Sequence, residues 1–249
     1  MRIILYLIII SLIGCTSNTT KLSQSKSIVW ADDNSEIAVV ISHPEKDLHK
    51  ISVQDIKTDE KRDITEWRDY KSGKIFYMKQ AGYFIVESLL ENGARRFDKI
   101  EENGNEILII ETPDDENQPC SKNKIEQVHH TVIPSPNGLQ LAHVYSPECG
   151  TITIEFLYAN NLNVFDTQTM NIDEPMRIKW HPDNYIILVN HNNDKAWKVT
   201  PLTLTSPILP PKCFEPVTTS SNVSSDGRQV LFDGDKLITK STGTKFGCQ

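Results

Sequence analysis

The sequence predicts an all-β chain built from repeated multi-stranded units, and three observations carry that reading. From about residue 28 onward, short apolar runs recur at Ile37–Ile41, Tyr83–Val86, Ile107–Ile110 and Tyr185–Val189. They are rich in β-branched and aromatic residues and bounded by Gly, Pro, Asn or Asp. The runs are continuous rather than alternating, which predicts strands buried on both faces. A turn motif also repeats: Trp30-Ala31-Asp32-Asp33-Asn34, Pro134-Ser135-Pro136-Asn137-Gly138, Trp180-His181-Pro182-Asp183-Asn184 and Val223-Ser224-Ser225-Asp226-Gly227. Thirteen prolines suit short strands better than helices. A short helix near Ile64–Tyr70 is the one helical candidate beyond the first residues.

The chain opens with Met1-Arg2, an apolar run from Ile3 to Ile10, and Ser11-Leu12-Ile13-Gly14-Cys15. One positive charge, a short apolar stretch and a small residue before a break form the layout of an export signal. The run is short of the roughly 20 residues that a spanning helix needs. Leu12-Ile13-Gly14-Cys15 resembles the lipobox of bacterial lipoproteins. The resemblance covers residues 1–15 and implies cleavage after Gly14 and lipidation of Cys15. Two or three acyl chains, each buried methylene adding ~0.8 kcal/mol, would anchor the chain to a membrane as one cannot. The implied address is the cell membrane or the outer membrane, on the periplasmic or extracellular face. Thr16 in place of Asp leans toward the outer membrane in a two-membrane cell. Residues 15–27 then read as a lipidated, flexible tether with one apolar side chain after the cysteine, Leu22. About twelve such residues reach roughly 20 Å.

The remainder, 28–249, is read as a single all-β domain. Removing residues 1–14 from 249 leaves 235, ample for a core. Arg2 leaves with the signal, so the formal net charge goes from −7 to −8. That balance argues against nucleic acid, which calls for a clustered basic face. It also argues against broad attraction to anionic lipid. Four cysteines remain beyond Cys15: Cys120, Cys149, Cys213 and Cys248. An even number in an exported chain favours disulfides, and three pairings are open. Cys120–Cys149 with Cys213–Cys248 is preferred, because each pair brackets one structural unit. Loops of that size would contribute ~3–4 kcal/mol each.

Each copy of the turn motif precedes an apolar strand: Ile37–Ile41, Leu139–Tyr145, Tyr185–Val189 and Val230–Phe232. Proline fixes φ at one corner, and Asn or Gly accepts the positive φ that a tight hairpin requires. The later intervals between copies are 46 and 43 residues, whereas Trp30 to Pro134 leaves room for two units. A hidden copy is therefore expected over roughly 70–115, with strands at Ile75–Met78, Tyr83–Val86 and Ile107–Ile110. Further strands are expected at Thr151–Tyr158 and Val164–Thr167. Periods of 40–50 residues with several strands each suggest propeller blades, about five of them and degenerate. An irregular β-sandwich is the alternative. The motif resembles the WSPDG-type repeat of TolB-like and other bacterial β-propellers, fairly over residues 125–240 and poorly over 28–115. Only Trp180–Asn184 comes close to the full motif. TolB's six blades and additional α/β domain are not matched.

No catalytic signature is present. There is no Gly-x-Ser-x-Gly elbow, phosphate-cradling glycine loop or His-Glu-x-x-His, and no Cys-x-x-Cys. His129-His130 would point to opposite faces of a strand. His143 and His181 have no partner at a telling spacing. Asp114-Asp115-Glu116 lacks the alternating ligands of a calcium loop. Asp233-Gly234-Asp235 reads as a hairpin turn. Trp30, Trp67, Trp180 and Trp197 read mainly as packing. No cofactor or metal is called for. The sequence thus points to a membrane-anchored binding or scaffold module with a protein or peptidoglycan-associated partner. The rival is a propeller-type hydrolase or lyase with converging acidic residues at the ring mouth.

Overall fold

A computed structural model describes residues 27–68, 71–112, 130–148, 150–172, 176–190, 192, 194–210, 228–233 and 236–241. Four antiparallel sheets follow one another along the chain, each a simple meander of four consecutive strands. Blade 1 comprises β1 (Ser27–Trp30), β2 (Glu36–Ser42), β3 (His49–Asp55) and β4 (Lys61–Asp63). Blade 2 comprises β5 (Lys71–Met78), β6 (Tyr83–Leu89), β7 (Arg95–Glu101) and β8 (Glu106–Glu111). Blade 3 is β9 (Thr131–Pro134), β10 (Gln140–Tyr145), β11 (Thr151–Tyr158) and β12 (Val164–Asn171). Blade 4 is β13 (Met176–His181), β14 (Tyr185–Asn190), β15 (Ala196–Val199) and β16 (Ser206–Ile208). A fifth, two-stranded unit pairs β17 (Arg228–Asp233) with β18 (Lys236–Ser241). The expected hidden unit is blade 2. Blades 1 and 2, where the repeat motif is poor, are as complete as blades 3 and 4.

Alternation within the middle strands explains the continuous apolar runs. Ala38 and Val40 of β2 pack with Ile75, Tyr77, Phe84 and Val86 of blade 2. Ile37 and Val39, on the opposite face, pack with Trp30. Leu141 of β10 meets Ile85 and Phe97 of blade 2, while Ala142 and Val144 meet Ile186 and Leu188 of blade 4. Each such fully buried aliphatic or aromatic side chain stabilises the fold by roughly 1.5–3 kcal/mol. The first strands of neighbouring blades meet: Ala31 bridges Tyr77 in parallel, and Trp180 Nε1 donates to Ile133 O at 3.1 Å. The last strands β4, β12 and β16 are the exposed edges. The final hairpin returns to the first blade, where Arg228 Nη2 donates to Asn34 O at 2.7 Å and the guanidinium lies 4.9 Å from the Trp30 ring centroid.

The turn motif forms as its chemistry requires. In Ala31–Asn34, Ser135–Gly138 and His181–Asn184 the fourth amide donates to the first carbonyl at 2.9–3.0 Å. The fourth residue has φ of 58°, 69° and 60° in turn. Blade 2 holds a fourth copy at Lys79–Gly82, with the same bond and φ of 73° at Gly82. The Val223–Gly227 copy, the Gly234-Asp235 tip, Asp114–Glu116, His129 and all five cysteines lie outside the described residues. Asp233 pairs with Lys236, as a two-residue hairpin demands. The helix expected near Ile64–Tyr70 is not found over Ile64–Arg68. That segment runs beside β3 instead, with Ile64 N bonded to Ile51 O and Arg68 N to His49 O, both at 2.8 Å. Burial of Ile64 against the blade 1–2 core outweighs local helical preference.

One polar cluster ties blades 1 and 2 at the turn rim. The Tyr77 hydroxyl donates to Glu36 Oε2 at 2.5 Å and lies 2.9 Å from Glu102 Oε1. Arg62 Nη2 is 2.9 Å from Glu36, and Lys79 Nζ is 3.0 Å from its other oxygen. Burial alone would push the Glu36 pKa up, but hydrogen bonds from Arg62, Tyr77 and Lys79 outweigh it and hold it down. A carboxyl with a lowered folded-state pKa stabilises the fold above its unfolded pKa and loses that contribution as pH falls through the folded value. Tyr77→Phe is expected to cost about 1–3 kcal/mol in chemical denaturation. Glu36→Gln is expected to destabilise at pH 7 and to flatten the loss of stability on the acid side. An unchanged acid limb would show that the cluster does not couple to folding.

Candidate functional site

A cleft of about 450 Å³ opens between blades 2 and 3 at the turn rim. Blade 2 supplies Ala81, Tyr83 and Lys99, and blade 3 supplies Gly138–Gln140 and Tyr158–Asn160. That volume falls within the range of small-ligand and peptide-residue sites. Two tight contacts build the cleft. The Tyr83 hydroxyl donates to Gly138 O at 2.9 Å, and a Cβ on Gly138 would stand 2.5 Å from that of Ala81. Burial drives the Tyr83 hydroxyl pKa up, so it stays a donor. At the mouth, Leu139 is 66 % exposed and Tyr158 is 46 % exposed. The Tyr158 ring is held by stacking on Phe165, centroids 4.4 Å apart. Lys99, its side chain 7 % exposed, places its ammonium 5.3 Å from the Tyr83 ring centroid and 3.8 Å from Glu101 Oε1.

A second cluster joins residues that sequence spacing left apart. His143 and Glu155 face each other across β10 and β11. His143 Nδ1 is 2.9 Å from Glu155 Oε2, His143 Nε2 is 3.0 Å from His130 Nδ1, and the Tyr145 hydroxyl donates to Glu155 Oε1 at 3.2 Å. The three rings stack with centroids 4.7–5.2 Å apart. Burial lowers the His143 pKa against the pull of Glu155, so the ring is neutral at pH 7. With Glu155 ionised, the donors order themselves as His130 Nδ1–H to His143 Nε2 and His143 Nδ1–H to Glu155. The expectation that His143 lacks a partner is therefore corrected. Its partners lie on the neighbouring strand β11 and just ahead of β9, and two-residue alternation of His143 and Tyr145 is the available signal. His181 instead stacks on Tyr185 at 4.3 Å.

Trp30 and Trp180 are buried packing residues. Trp197 packs partly against the blade 3–4 core. Trp67 lies edge-on to His43, with Lys50 Nζ 4.9 Å from its ring centroid. Among the described residues, no group of three or more His, Cys, Asp or Glu is arranged to hold a metal. No helix there is long and apolar enough to cross a membrane. Glu36 and Glu102 do converge on Tyr77, but Arg62 and Lys79 occupy Glu36, and Arg62 also approaches Glu102 at 3.4 Å.

Four stacked meanders with a fifth hairpin returning to the first define an all-β, propeller-like protein. Solved structures agree on the fold. An acylaminoacyl peptidase of Pyrococcus horikoshii superimposes with a TM-score of 0.51 at 10 % identity, over 90 % of this chain and 39 % of that one. The β-propeller domain of the Trilobed protease of Pyrococcus furiosus gives 0.51 at 11 %, over 90 % of this chain and 70 % of that one. TolB of Acinetobacter baumannii gives 0.48 at 14 %, over 88 % and 52 %, too loose to add to the argument. This chain thus spans about two fifths of the peptidase and half of TolB. No protein-family model and no curated protein matches the sequence.

Gly138 tests the cleft directly. Asn occupies the same turn position in blades 1 and 4 and tolerates the left-handed backbone. If the Ala81 approach governs, Gly138→Asn and Gly138→Ala are both expected to lower the thermal midpoint, and Ala81→Gly to restore part of the loss. If backbone strain alone governs, the Asn variant alone would be mild.

Proposed function

We propose that this chain is a lipid-anchored envelope protein that binds a partner protein through the blade 2–3 cleft and catalyses no reaction. The observation that carries the binding reading is the cleft itself, preformed by the Tyr83–Gly138 and Ala81–Gly138 contacts and rimmed by exposed Leu139 and Tyr158. An exposed aromatic and an aliphatic side chain beside a preformed hollow are what partner anchors pack into. The anchor reading rests on residues 1–15 and the tether that follows. On this reading the tether would hold the start of the domain within roughly 20 Å of a membrane surface. Cys120–Cys149 would bracket β9 and β10, and Cys213–Cys248 would bracket β17 and β18. Both would be formed in an oxidising envelope. The hydrolase or lyase reading finds support in the His130–His143–Glu155 chain, but His143 is 3 % exposed, which leaves a substrate little approach to it.

Two measurements decide. Palmitate labelling and membrane fractionation should both be lost in Cys15→Ala, and an unlabelled, soluble wild type would overturn the anchor. Photo-crosslinkers placed at Leu139 and Tyr158 in intact cells should give one discrete adduct. A crosslinker at Leu108, on the exposed edge of blade 2, should not. Equal adducts from all three positions would overturn the cleft as binding site.

A further inference from the structure

Among the described residues, Lys99 is the one charged residue that lines the cleft. It lies on β7, the third strand of its blade, where neighbouring Phe97 and Ile100 are 1 % exposed. Asp98 beside it is answered by Arg96, whose Nε and Nη2 donate to it at 2.8 and 3.0 Å. Arg95 is answered by Glu87 at 2.6 Å. The Lys99 ammonium has only Glu101 at 3.8 Å and the Tyr83 ring face, and no hydrogen bond among the described residues. An ammonium carries three donors, and this one lines the cleft beside its ion pair with Glu101. The cleft thus presents a cation, shared with Glu101, beside its apolar wall.

We infer that the cleft takes the C-terminal carboxylate of a partner polypeptide ending in an apolar residue, with Lys99 as the cation that receives it. The inference rests on the binding reading of the same cleft and deepens it. A terminal carboxylate and its own side chain spring from one Cα. They can meet Lys99 and the wall of Tyr158 and Leu139 together within about 450 Å³. An internal Asp or Glu would need room for chain leaving in both directions. A charge-assisted bond to Lys99, with the apolar side chain beside it, supplies both specificity and contact area.

The test uses the full chain, purified in detergent, and fluorescent pentapeptides ending in Leu or Phe. Each is made as the free acid, as the C-terminal amide, and as an amide with Glu one residue from the end. The free acid should bind at least tenfold tighter than either amide, and Lys99→Met should abolish that difference. Met matches Lys in length, so its thermal midpoint should equal or exceed that of the wild type. A structural lysine would lower it. Equal binding of acid and amide overturns the inference, as does equal binding of the internal-Glu peptide. These comparisons need no variant and survive a misfolded one. No binding of any peptide at millimolar concentration also overturns it. The broader reading of the cleft then stands or falls on the crosslinks at Leu139 and Tyr158.

Discussion

The structure depends on one constraint: the second strand of each blade is apolar on both faces, so no blade can exist alone. A strand alternates its side chains every residue. A run such as Ile37–Ile41 or Tyr185–Val189 therefore presents two apolar faces, and each needs a neighbour. Blade 3 shows the solution most completely, with Leu141 turned to blade 2 and Ala142 and Val144 turned to blade 4. Stacking must continue until the end faces are covered. Ile37 and Val39 of blade 1 and Ile187 and Val189 of blade 4 are at most 2 % exposed. The contact of Arg228 with Trp30 and Asn34 brings the last hairpin to the first of those faces.

Stacking leaves polar chemistry at the rims, and the two blade junctions of the first half use it differently. Between blades 1 and 2, Tyr77, Glu36, Arg62, Lys79 and Glu102 close on one another. Charge meets charge, and nothing is left over for a ligand. Between blades 2 and 3 the turns themselves touch, Ala81 against Gly138. That contact and the Tyr83 hydroxyl on Gly138 O stand in the lining of the open cleft. A closed junction and an open one arise from the same repeated hairpin, differing in what the fourth turn residue and its neighbours carry.

Much of this was legible in the sequence. The turn motif located three hairpins, and the interval between the first two copies required a hidden unit over roughly 70–115. Strands at Ile75–Met78, Tyr83–Val86, Ile107–Ile110 and Thr151–Tyr158 fall within observed ones. The hidden turn itself was not legible, because Lys79-Gln80-Ala81-Gly82 shares only its final glycine with the motif. The run Ile64–Arg68 was misread because its apolar side chains pack on a neighbouring strand rather than along a helix. His143, His130 and Glu155 could not be joined because strand register, not sequence spacing, brings them together.

β7 was missed for a more informative reason. Arg95-Arg96-Phe97-Asp98-Lys99-Ile100-Glu101 carries five charges in seven residues and reads as a surface segment, yet four of those residues, Phe97 to Ile100, are buried. A sequence that specifies its fold is consistent across levels, and the breaks in that consistency gather where function or strain is stored. Two of the breaks in β7 are structural, since Arg95 finds Glu87 and Arg96 finds Asp98. Once those pairs are set aside, Lys99 keeps only the longer 3.8 Å pair with Glu101 and the Tyr83 ring face. It is also the charge that opens into the cleft. Pattern and geometry, read separately, converge on the same residue.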